Sequence, residues 1–328
     1  MTADAARPGS ASAGTPGLVS VLVNCYNSER YLHEAIASVV AQTYPHWELL
    51  FWDNQSTDGS AAIAQSFGDA RIRYLRAPEH TTLGKARELA VREARGEFLA
   101  ILDCDDVWYP EKLERQMALA QRMPEAGVLF SGYDIISSTG ELRAQATRRA
   151  AAWSGEVFEA LLRQQFTVCW PTVVFRTTAL REAGPFAPLK YVEDLEILLR
   201  IAARWPYGYD ETRLAAYRVH STQLSTNFVA MREEVLGICD DWATQWRAIG
   251  ALTRDQERLL ARARSRAWAI SARHAMANGA PATALFRTAL SHAVTAEAAF
   301  GFAVSLLGSA RAVRIIAGVR RVLGYGNI

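Results

Sequence analysis

Three aspartates follow directly on an apolar run in the stretch FLAILDCDDVW, residues 98–108. The apolar run is typical of a buried strand, and Asp103, Asp105 and Asp106 stand at its end. Carboxylates this close repel one another unless a cation or a raised pKa compensates them. Two carboxylates separated by one residue can both face a hard divalent cation that also binds phosphates. The alternative is a solvated turn, because Asp favours turns.

Asp53 ends a second apolar run in WELLFWDNQSTDGS and is predicted to face the open edge of a sheet. A carboxylate at that place could accept a hydrogen bond from the imino N–H of a nucleotide base. Asp58, in the same stretch, is the expected cap of the following helix.

Four further polar residues have both a functional and a structural interpretation. Glu193 and Asp194 stand at a predicted helix start in YVEDLEILLR, where the helix dipole favours acids in any case. Arg87, near the start of another predicted helix, could face phosphate or simply water. His220, in YRVHSTQLS, follows a predicted strand, and a lone histidine is more often structural than catalytic.

The elements that position these residues alternate along the first 125 residues. Strands are predicted over 18–27, 46–54, 71–77 and 97–103, and helices over 28–44, 57–68, 83–96 and 110–123. This alternation predicts a mostly parallel α/β sheet covered by helices on both faces. In such sheets ligands bind beyond the carboxyl ends of the strands. Asn27, Asp53 and Asp103 with Asp105 all fall on that edge, which is therefore the predicted site.

The alternation breaks beyond residue 125. A hairpin turning at 138–140, helices near 155–162 and 193–205, and a late strand at 212–220 are predicted. From Phe228 onward the pattern is helical almost throughout, with breaks at 278–281 and at Gly308. We therefore predict three regions: a disordered leader over 1–17, a catalytic domain over 18–227, and an appended helical region over 228–328.

Taken in order, four segments resemble the bacterial family 2 glycosyltransferases with the GT-A fold, a Rossmann-like sheet flanked by helices. They are VSVLVNCYNSERYLHEAIASVVAQTY, WELLFWDNQSTDGS, ARGEFLAILDCDDVWYPEKL and GPFAPLKYVEDLEILLRIA. The resemblance covers residues 18–225. It departs from the usual family pattern at Asn24, Asn54 and Glu88, where many members have Pro, Asp and Asn.

The resemblance implies a role for each matched residue. Asp53 corresponds to the carboxylate that reads the base of the donor nucleotide, with Asn27 and the region of Tyr26 beside it. Asp103 would contact the ribose or the metal shell, and Asp105 would hold Mg²⁺ or Mn²⁺ against the diphosphate. The remaining matches are Asp194 with Glu193 as the general base, Arg87 near the nucleotide and phosphates, and His220 close to the diphosphate.

The implied reaction is metal-dependent transfer of a sugar, with inversion, from a nucleotide-diphosphate sugar, of UDP type, to a hydroxyl. The implied acceptor is a glycan or a lipid-linked glycan of a surface polysaccharide. The chemistry agrees with the residues, because a cation can stabilise the departing diphosphate and a carboxylate can accept the hydroxyl proton.

Charge is divided unevenly along the chain. From Arg262 to the end there are nine Arg, no Lys and one Glu, a balance of +8, so the remainder carries −6 against a net charge of +2. An arginine-only tail indicates an anionic partner, with a lipid surface as the leading candidate. The segment 300–324 suits a helix lying on anionic lipid or one packed on the catalytic domain. Nucleic-acid binding is not expected, because no recognisable motif accompanies the basic residues.

Cysteine spacing and hydropathy indicate a cytoplasmic protein, peripheral on the inner face of the membrane if the tail binds lipid. The four cysteines show no paired spacing, and no apolar run is long enough to span a bilayer. Two other functions remain open. One is a catalytically silent sugar-nucleotide-binding or scaffold protein of the same fold. The other is a nucleotidyltransferase, although NCYNSER lacks the Gly-rich basic loop that such an enzyme needs.

Overall fold

A computed structural model describes residues 14–146, 153–221, 223 and 227–306. Their centre is one nine-stranded sheet. The strands are β1 Thr15–Cys25, β2 Trp47–Asp53, β3 Ile72–Arg76, β4 Gly96–Ile101, β5 Val107–Trp108, β6 Val128–Ile136, β7 Leu142–Ala146, β8 Val174–Arg176 and β9 Tyr207–Arg218.

The helices are α1 Glu29–Val40, α2 Ser60–Ser66, α3 Leu83–Arg92, α4 Lys112–Arg122, α5 Phe158–Leu162, α6 Thr177–Ala183, α7 Glu193–Ala202, α8 Phe228–Ala248, α9 Arg254–Ala277, α10 Thr283–His292 and α11 Ala296–Ser305. A single 3-10 turn at Trp170–Thr172 precedes β8.

The sheet runs in the order β3-β2-β1-β4-β8-β6-β9-β5, and β7 pairs with β6 at the side. Strands β3, β2, β1 and β4 are parallel, as the alternating sequence predicts. The α/β fold class is confirmed, but the parallel arrangement does not extend through the second half. Strand β8 is antiparallel to both β4 and β6, between which it lies.

Each face of the sheet carries its own hydrophobic core. Along the central strands alternate residues point to opposite faces, so Leu22 and Leu99 pack on one side while Val21 and Ala100 pack on the other. The first core includes residues of α3, α7, α8 and α9, and the second includes residues of α1 and α4. Because both of their faces are buried, the central strands have continuous apolar sequences.

The long helices of the C-terminal region pack on the catalytic part of the chain. Val235 and Ile238 of α8 share a core with Leu161 of α5 and Leu198 of α7. Helices α10 and α11 pack instead on the second half of α9, around the buried ring of Phe286. Gly301 of α11 lies against that ring, and a Cβ there would come within 2.1 Å of Phe286 Cε1.

Several boundaries differ from the sequence prediction. Strand β1 begins at Thr15, so residues 15–17 belong to the sheet and not to a leader. Gly96 opens β4 instead of closing the preceding helix, which ends at Arg92. The two-residue strand β5 was not predicted, since it is too short to show a period.

Two expectations fall outside the described residues: the leader over 1–13 and the tail beyond 306, including the break at Gly308 and most of the predicted lipid-surface segment. Within the described part of the chain, none of the helices has the length and hydropathy needed to cross a membrane.

We expect Ile238→Ala to lower the free energy of unfolding by about 2–5 kcal/mol, because it leaves a cavity in a shared core. Ile238 is 3% exposed, whereas Ile249 at the end of the same helix is 75% exposed. Ile249→Ala should therefore change stability by no more than about 0.5 kcal/mol. Urea unfolding followed by tryptophan fluorescence measures both, and equal effects would show that α8 does not pack on the sheet in solution.

Candidate active site

The predicted polar residues gather at one edge of the sheet. Asn27 follows β1, Asp53 ends β2, Asp103 and Asp105 follow β4, and His220 follows β9. Strand β9 is parallel to β6, and β6 runs in the same direction as β4 through the antiparallel β8. All four carboxyl ends therefore meet at the edge that the sequence indicates.

Arg87 of α3 joins two acidic segments. Its Nη1 donates to Glu193 Oε1 at 2.5 Å, and its Nη2 donates to Asp103 Oδ1 at 2.9 Å. The side chain is 4% exposed, and its guanidinium carbon lies 5.0 Å from the ring centroid of Trp170. The sequence left open whether Arg87 faces phosphate or water. In this structure its guanidinium group contacts two carboxylates instead.

The neighbouring acids Glu193 and Asp194 have different surroundings. Burial raises the pKa of Glu193 to about 7, with Arg87 opposing the rise. Burial also raises the pKa of Asp194, whose Oδ1 accepts the Leu195 N–H at 2.7 Å. No arginine or lysine among the described residues forms an ion pair with Asp194, although Arg87 is close enough to oppose the rise in its pKa, and Asp103 adds to that rise. Of the two acids, Asp194 is the one without an ion pair in the described part of the chain.

Asp105 contacts His220, as their shared position at the sheet edge suggests. His220 Nε2 lies 2.8 Å from Asp105 Oδ2, and about a third of the Asp105 side chain, 34%, is exposed. Asp103 is exposed to a similar extent, 36%. Burial raises the pKa of Asp103, and its ion pair with Arg87 opposes that rise.

Arg218, at the end of β9, anchors the loop that carries the aspartates. Its N–H donates to Asp106 Oδ1 and its Nε to the Asp105 carbonyl oxygen, both at 2.8 Å. Its Nη2 pairs with Glu34 of α1, and the side chain is 2% exposed. Our sequence prediction did not include Arg218, although its place two residues before His220 was an available signal.

Asp106 is 1% exposed, so it is not a solvated turn residue. Burial raises its pKa well above the ordinary value, and repulsion from Asp105 adds to that rise. Within the described residues Arg218 is the cation that opposes this rise, and Asp106 Oδ1 accepts the Arg218 backbone N–H.

Asp53 is fully buried within its own turn. Its Oδ1 accepts the Ser56 N–H at 2.7 Å, and its Oδ2 accepts the Tyr74 hydroxyl at 2.5 Å. Burial and the Asp53 carboxylate together raise the pKa of Tyr74 to about 12. Asn27 supports the same turn, with its Oδ1 accepting the Thr57 N–H at 2.8 Å. The base-reading role of Asp53 stays a prediction.

Beside that turn lies an aromatic pair. Tyr26 is 49% exposed, and its ring centroid is 4.2 Å from that of His80. Asn54 fixes the loop that carries His80, donating to the Thr81 carbonyl oxygen at 2.8 Å and accepting its N–H at 3.1 Å. An exposed aromatic face is suited to stacking on a nucleotide base. His80 was not predicted, because nothing in the sequence places it next to Tyr26.

The carboxylates suit a divalent cation of the kind that takes several ligands from substrate phosphates. Among the described residues no group of three His, Cys, Asp or Glu side chains could hold a metal ion by itself. Mg²⁺ bound with nucleotides needs only one or two carboxylates from the protein. Asp103 and Asp105 provide such oxygens, each about a third exposed. The donor set therefore fits Mg²⁺ or Mn²⁺ in the company of a diphosphate.

A partly open interhelical cavity of about 160 Å³ borders Asp194. Helices α7, α8 and α9 and the segment 161–168 line it. Its lining is mostly apolar, and Asp194 and Arg232 are its charged members. Asp194 therefore belongs both to the acidic cluster around Arg87 and to this cavity.

Comparison with known proteins agrees with this geometry. Residues 20–184 match the family described as Glycosyl transferase family 2. WfgD of Escherichia coli, named as a UDP-Glc:alpha-D-GlcNAc-diphosphoundecaprenol beta-1,3-glucosyltransferase, is 31% identical over 185 residues, which are 56% of this chain and 69% of WfgD. The Bacillus subtilis glycosyltransferase TuaG is 28% identical over 214 residues, 64% of this chain and 82% of TuaG. This chain belongs to glycosyltransferase family 2.

Solved structures support the fold alone, since their sequences are distant. S. aureus TarS 1-349 in complex with UDP-GlcNAc has a TM-score of 0.62 at 18% identity, covering 90% of this chain and 81% of that one. The mannosyltransferase PcManGT from Pyrobaculum calidifontis, in complex with GDP-Man and Mn²⁺, has a TM-score of 0.54, covering 93% and 86%. The family and the GT-A-like fold predicted from the sequence are confirmed, whereas the individual site roles stay predictions.

We expect Arg87→Met to lower the free energy of unfolding by about 3–5 kcal/mol, because it leaves the buried Glu193 carboxylate without its cation. The double variant Arg87→Met, Glu193→Leu should recover much of that loss, since no buried charge then remains unpaired. Arg92, on the same helix, is 64% exposed. Arg92→Met is the matched control, expected within about 0.5 kcal/mol of wild type.

The measurement is denaturant unfolding at neutral pH. A double variant no more stable than Arg87→Met would mean that Arg87 stabilises the fold through packing on Trp170 and not through Glu193.

Proposed function

We propose that this glycosyltransferase moves a sugar, with inversion, from a UDP-sugar to a hydroxyl group of a glycan or lipid-linked acceptor in surface polysaccharide synthesis. The observation that carries the proposal is the position of Asp194. It lies beside the acidic cluster that would meet the donor, it forms no ion pair within the described residues, and it lines the interhelical cavity.

Asp194 is proposed as the general base. The acceptor oxygen attacks the anomeric carbon, its proton passes to the Asp194 carboxylate, and the bond from that carbon to the diphosphate oxygen breaks. The nucleoside diphosphate leaves with the bonding electrons, so one displacement inverts the anomeric centre. Burial raises the pKa of Asp194, and a base with a raised pKa takes up a hydroxyl proton more readily.

Glu193 is less suited to that role, although the sequence places it beside Asp194. Its Oε1 accepts from Arg87, and its side chain is only 6% exposed. We assign to Glu193 the positioning of Arg87, which in turn holds Asp103.

The donor is proposed to lie along the carboxyl ends of β1, β2 and β4. Tyr26 offers an exposed ring for the base, and Asn27 and Asp53 shape the turn behind it. A UDP donor is favoured because WfgD is named for UDP-Glc and the TarS structure contains UDP-GlcNAc. Neither similarity identifies the sugar that this chain transfers.

Asp105 and Asp103 would hold Mg²⁺ or Mn²⁺, with His220 beside Asp105 and close to the diphosphate. The cation would supply positive charge to the leaving diphosphate. Arg218 keeps the Asp105 carbonyl and the Asp106 carboxylate in place, so the loop is set before the donor arrives.

We further propose that the protein works at the inner face of the cell membrane, where a lipid-linked acceptor would be presented. The support is the balance of +8 from Arg262 to the end of the chain. Anionic headgroups attract basic segments of this kind.

Asp194→Asn should lower the rate of sugar transfer by about 10²–10⁴-fold, because an amide cannot accept the hydroxyl proton. Binding of UDP and the melting temperature should stay close to wild type. Glu196, two residues further along α7, pairs with Arg200 one turn further on, and neither residue belongs to the proposed site. Glu196→Gln is the control and should transfer sugar at the wild-type rate.

Transfer is measured by release of nucleoside diphosphate in the presence of acceptor. If wild type and Asp194→Asn both bind nucleotide but neither turns over any nucleotide sugar, the chain is the silent binding protein and not an enzyme.

If nucleotide binding depends on a metal ion, UDP and the cation together should stabilise the fold more than either does alone. UDP with Mg²⁺ or Mn²⁺, at about 100 times its dissociation constant, should stabilise the fold by about 2.7 kcal/mol, and addition of EDTA should remove most of that gain. Asp105→Asn should lose the metal-dependent part, while Asp255→Asn, at a side chain 89% exposed, should keep it. Differential scanning fluorimetry with UDP and GDP in parallel also tests the base, and an equal shift with and without metal would refute the role of Asp105.

A further inference from the structure

Glu234 of α8 binds the backbone that leads into α7. Its Oε1 accepts the Lys190 N–H at 3.0 Å, and its Oε2 accepts the N–H groups of Tyr191 and Val192 at 2.8 and 3.0 Å. Three successive backbone donors therefore meet one carboxylate that lies 42 to 44 residues further along the chain. This contact ends two residues before Asp194.

Helix α7 has no cap within its own sequence. Its N-cap residue is Val192, whose side chain cannot accept a hydrogen bond. The first bond of the helix runs from the Glu196 N–H to the Val192 carbonyl oxygen, so the N–H groups before Glu196 need other partners. A carboxylate is well suited to this place, because the helix dipole favours a negative charge and a charged acceptor strengthens each hydrogen bond. Glu234 supplies from the C-terminal region the acceptor that Val192 lacks.

Two contacts restrain the helix that carries Glu234. The next residue, Val235, is 5% exposed and shares a core with Val192. At the beginning of α8, Ser271 of α9 donates from its Oγ to the Phe228 carbonyl oxygen at 3.1 Å. The Glu234 carboxylate is therefore presented to α7 by a helix that packs on both α7 and α9.

The position of the proposed base depends on where α7 begins. Asp194 is the second residue of that helix, and its Oδ1 accepts the N–H of its neighbour Leu195. Within the described residues it forms no ion pair that would fix it by itself. A catalytic group displaced by about 1 Å can slow a reaction by about 10²-fold. Contacts that hold the backbone just before Asp194 therefore bear on the rate of proton transfer.

We propose that Glu234 is a positioning residue for sugar transfer, which holds the backbone of residues 190–192 so that the Asp194 carboxylate meets the acceptor hydroxyl. This inference rests on the proposed function, because it takes Asp194 as the general base. Glu234 acts through the backbone and takes up no proton itself. The C-terminal region thereby contributes to the catalytic step.

Glu234→Ala should lower kcat by about 10- to 100-fold, because α7 then loses the contact that sets its beginning. The KM for the UDP-sugar should stay within about twofold, since the donor is proposed to lie along β1, β2 and β4. The probes are UDP-glucose and UDP-N-acetylglucosamine, with water in place of the acceptor. Release of UDP is measured well below the melting temperature of each variant.

Glu233→Ala is the matched control. It carries the same substitution at the preceding residue of α8, where the side chain is 60% exposed and pairs with Arg232. Its kcat should equal that of wild type. Equal values of kcat for Glu233→Ala and Glu234→Ala would overturn the proposal.

Glu234→Gln tests the hydrogen bonds at nearly constant size. Its amide oxygen can still accept the N–H groups of Tyr191 and Val192, so kcat should stay within about fivefold of wild type. A loss as large as that of Glu234→Ala would show that these bonds do not position Asp194.

A double variant separates positioning from a general effect on the fold. In the Asp194→Asn background, Glu234→Ala should lower the residual rate by less than about twofold, because there is no proton acceptor left to position. A purely structural role would lower the rate by the same factor in both backgrounds, and that result would refute the proposal.

Hydrogen–deuterium exchange followed by mass spectrometry tests the contact without any reaction. The amides of residues 190–192 should exchange about tenfold faster in Glu234→Ala than in wild type, and at the wild-type rate in Glu233→Ala. Unchanged exchange in Glu234→Ala would overturn the positioning role alone and leave the proposed function intact. A wild-type protein that turns over no nucleotide sugar would overturn the proposed function, and the positioning role with it.

Discussion

The site depends on compensation of like charge by two buried arginines. Asp103, Asp105 and Asp106 follow one strand, and Glu193 and Asp194 begin one helix. Arg87 and Arg218 are the cations among them, each nearly inaccessible to water. Moving charged groups out of water costs free energy, and only close partners of opposite charge offset that cost. The five carboxylates can therefore share one sheet edge only where both arginines are in place.

Each arginine comes from an element distant in sequence from the acids that it holds. Arg87 lies on α3 and reaches α7 across a separation of 106 residues, and Arg218 ends β9 and reaches the loop after β4, 112 residues away. The parallel and antiparallel halves of the sheet must therefore be joined before the carboxylates are compensated. The completed fold therefore fixes the position of the acidic loop relative to α7. Binding a donor between them, as we propose, would require that fixed geometry.

Local patterns in the sequence predicted the elements well and the contacts among them poorly. The apolar runs and helical periods identify β1 to β4 and α7, because each element's own residues carry the signal. The mixed order of the second half was not predictable, since the three-residue β8 carries almost no period and its pairing is set by tertiary contacts.

The same limit applies to the site. Residue types and positions at strand ends indicated Asp53, Asp103 and Asp105, and the family resemblance indicated Asp194 at a helix start and His220 after a strand. The partner of Arg87 was not predictable, because it depends on where α7 lies relative to α3.

Asp194 lies between two unlike environments, and this supports the role of general base that we propose for it. On one side Asp103 and Arg87 make a charged cluster, and on the other the interhelical cavity is mostly apolar. A carboxylate in water is a weak base, and one paired with arginine is weaker still. Burial raises the pKa of Asp194, and Arg87 opposes that rise without forming an ion pair with it. Helices α8 and α9 supply part of the apolar wall, so the proposed role of Asp194 would depend on the C-terminal region as well as on the catalytic domain.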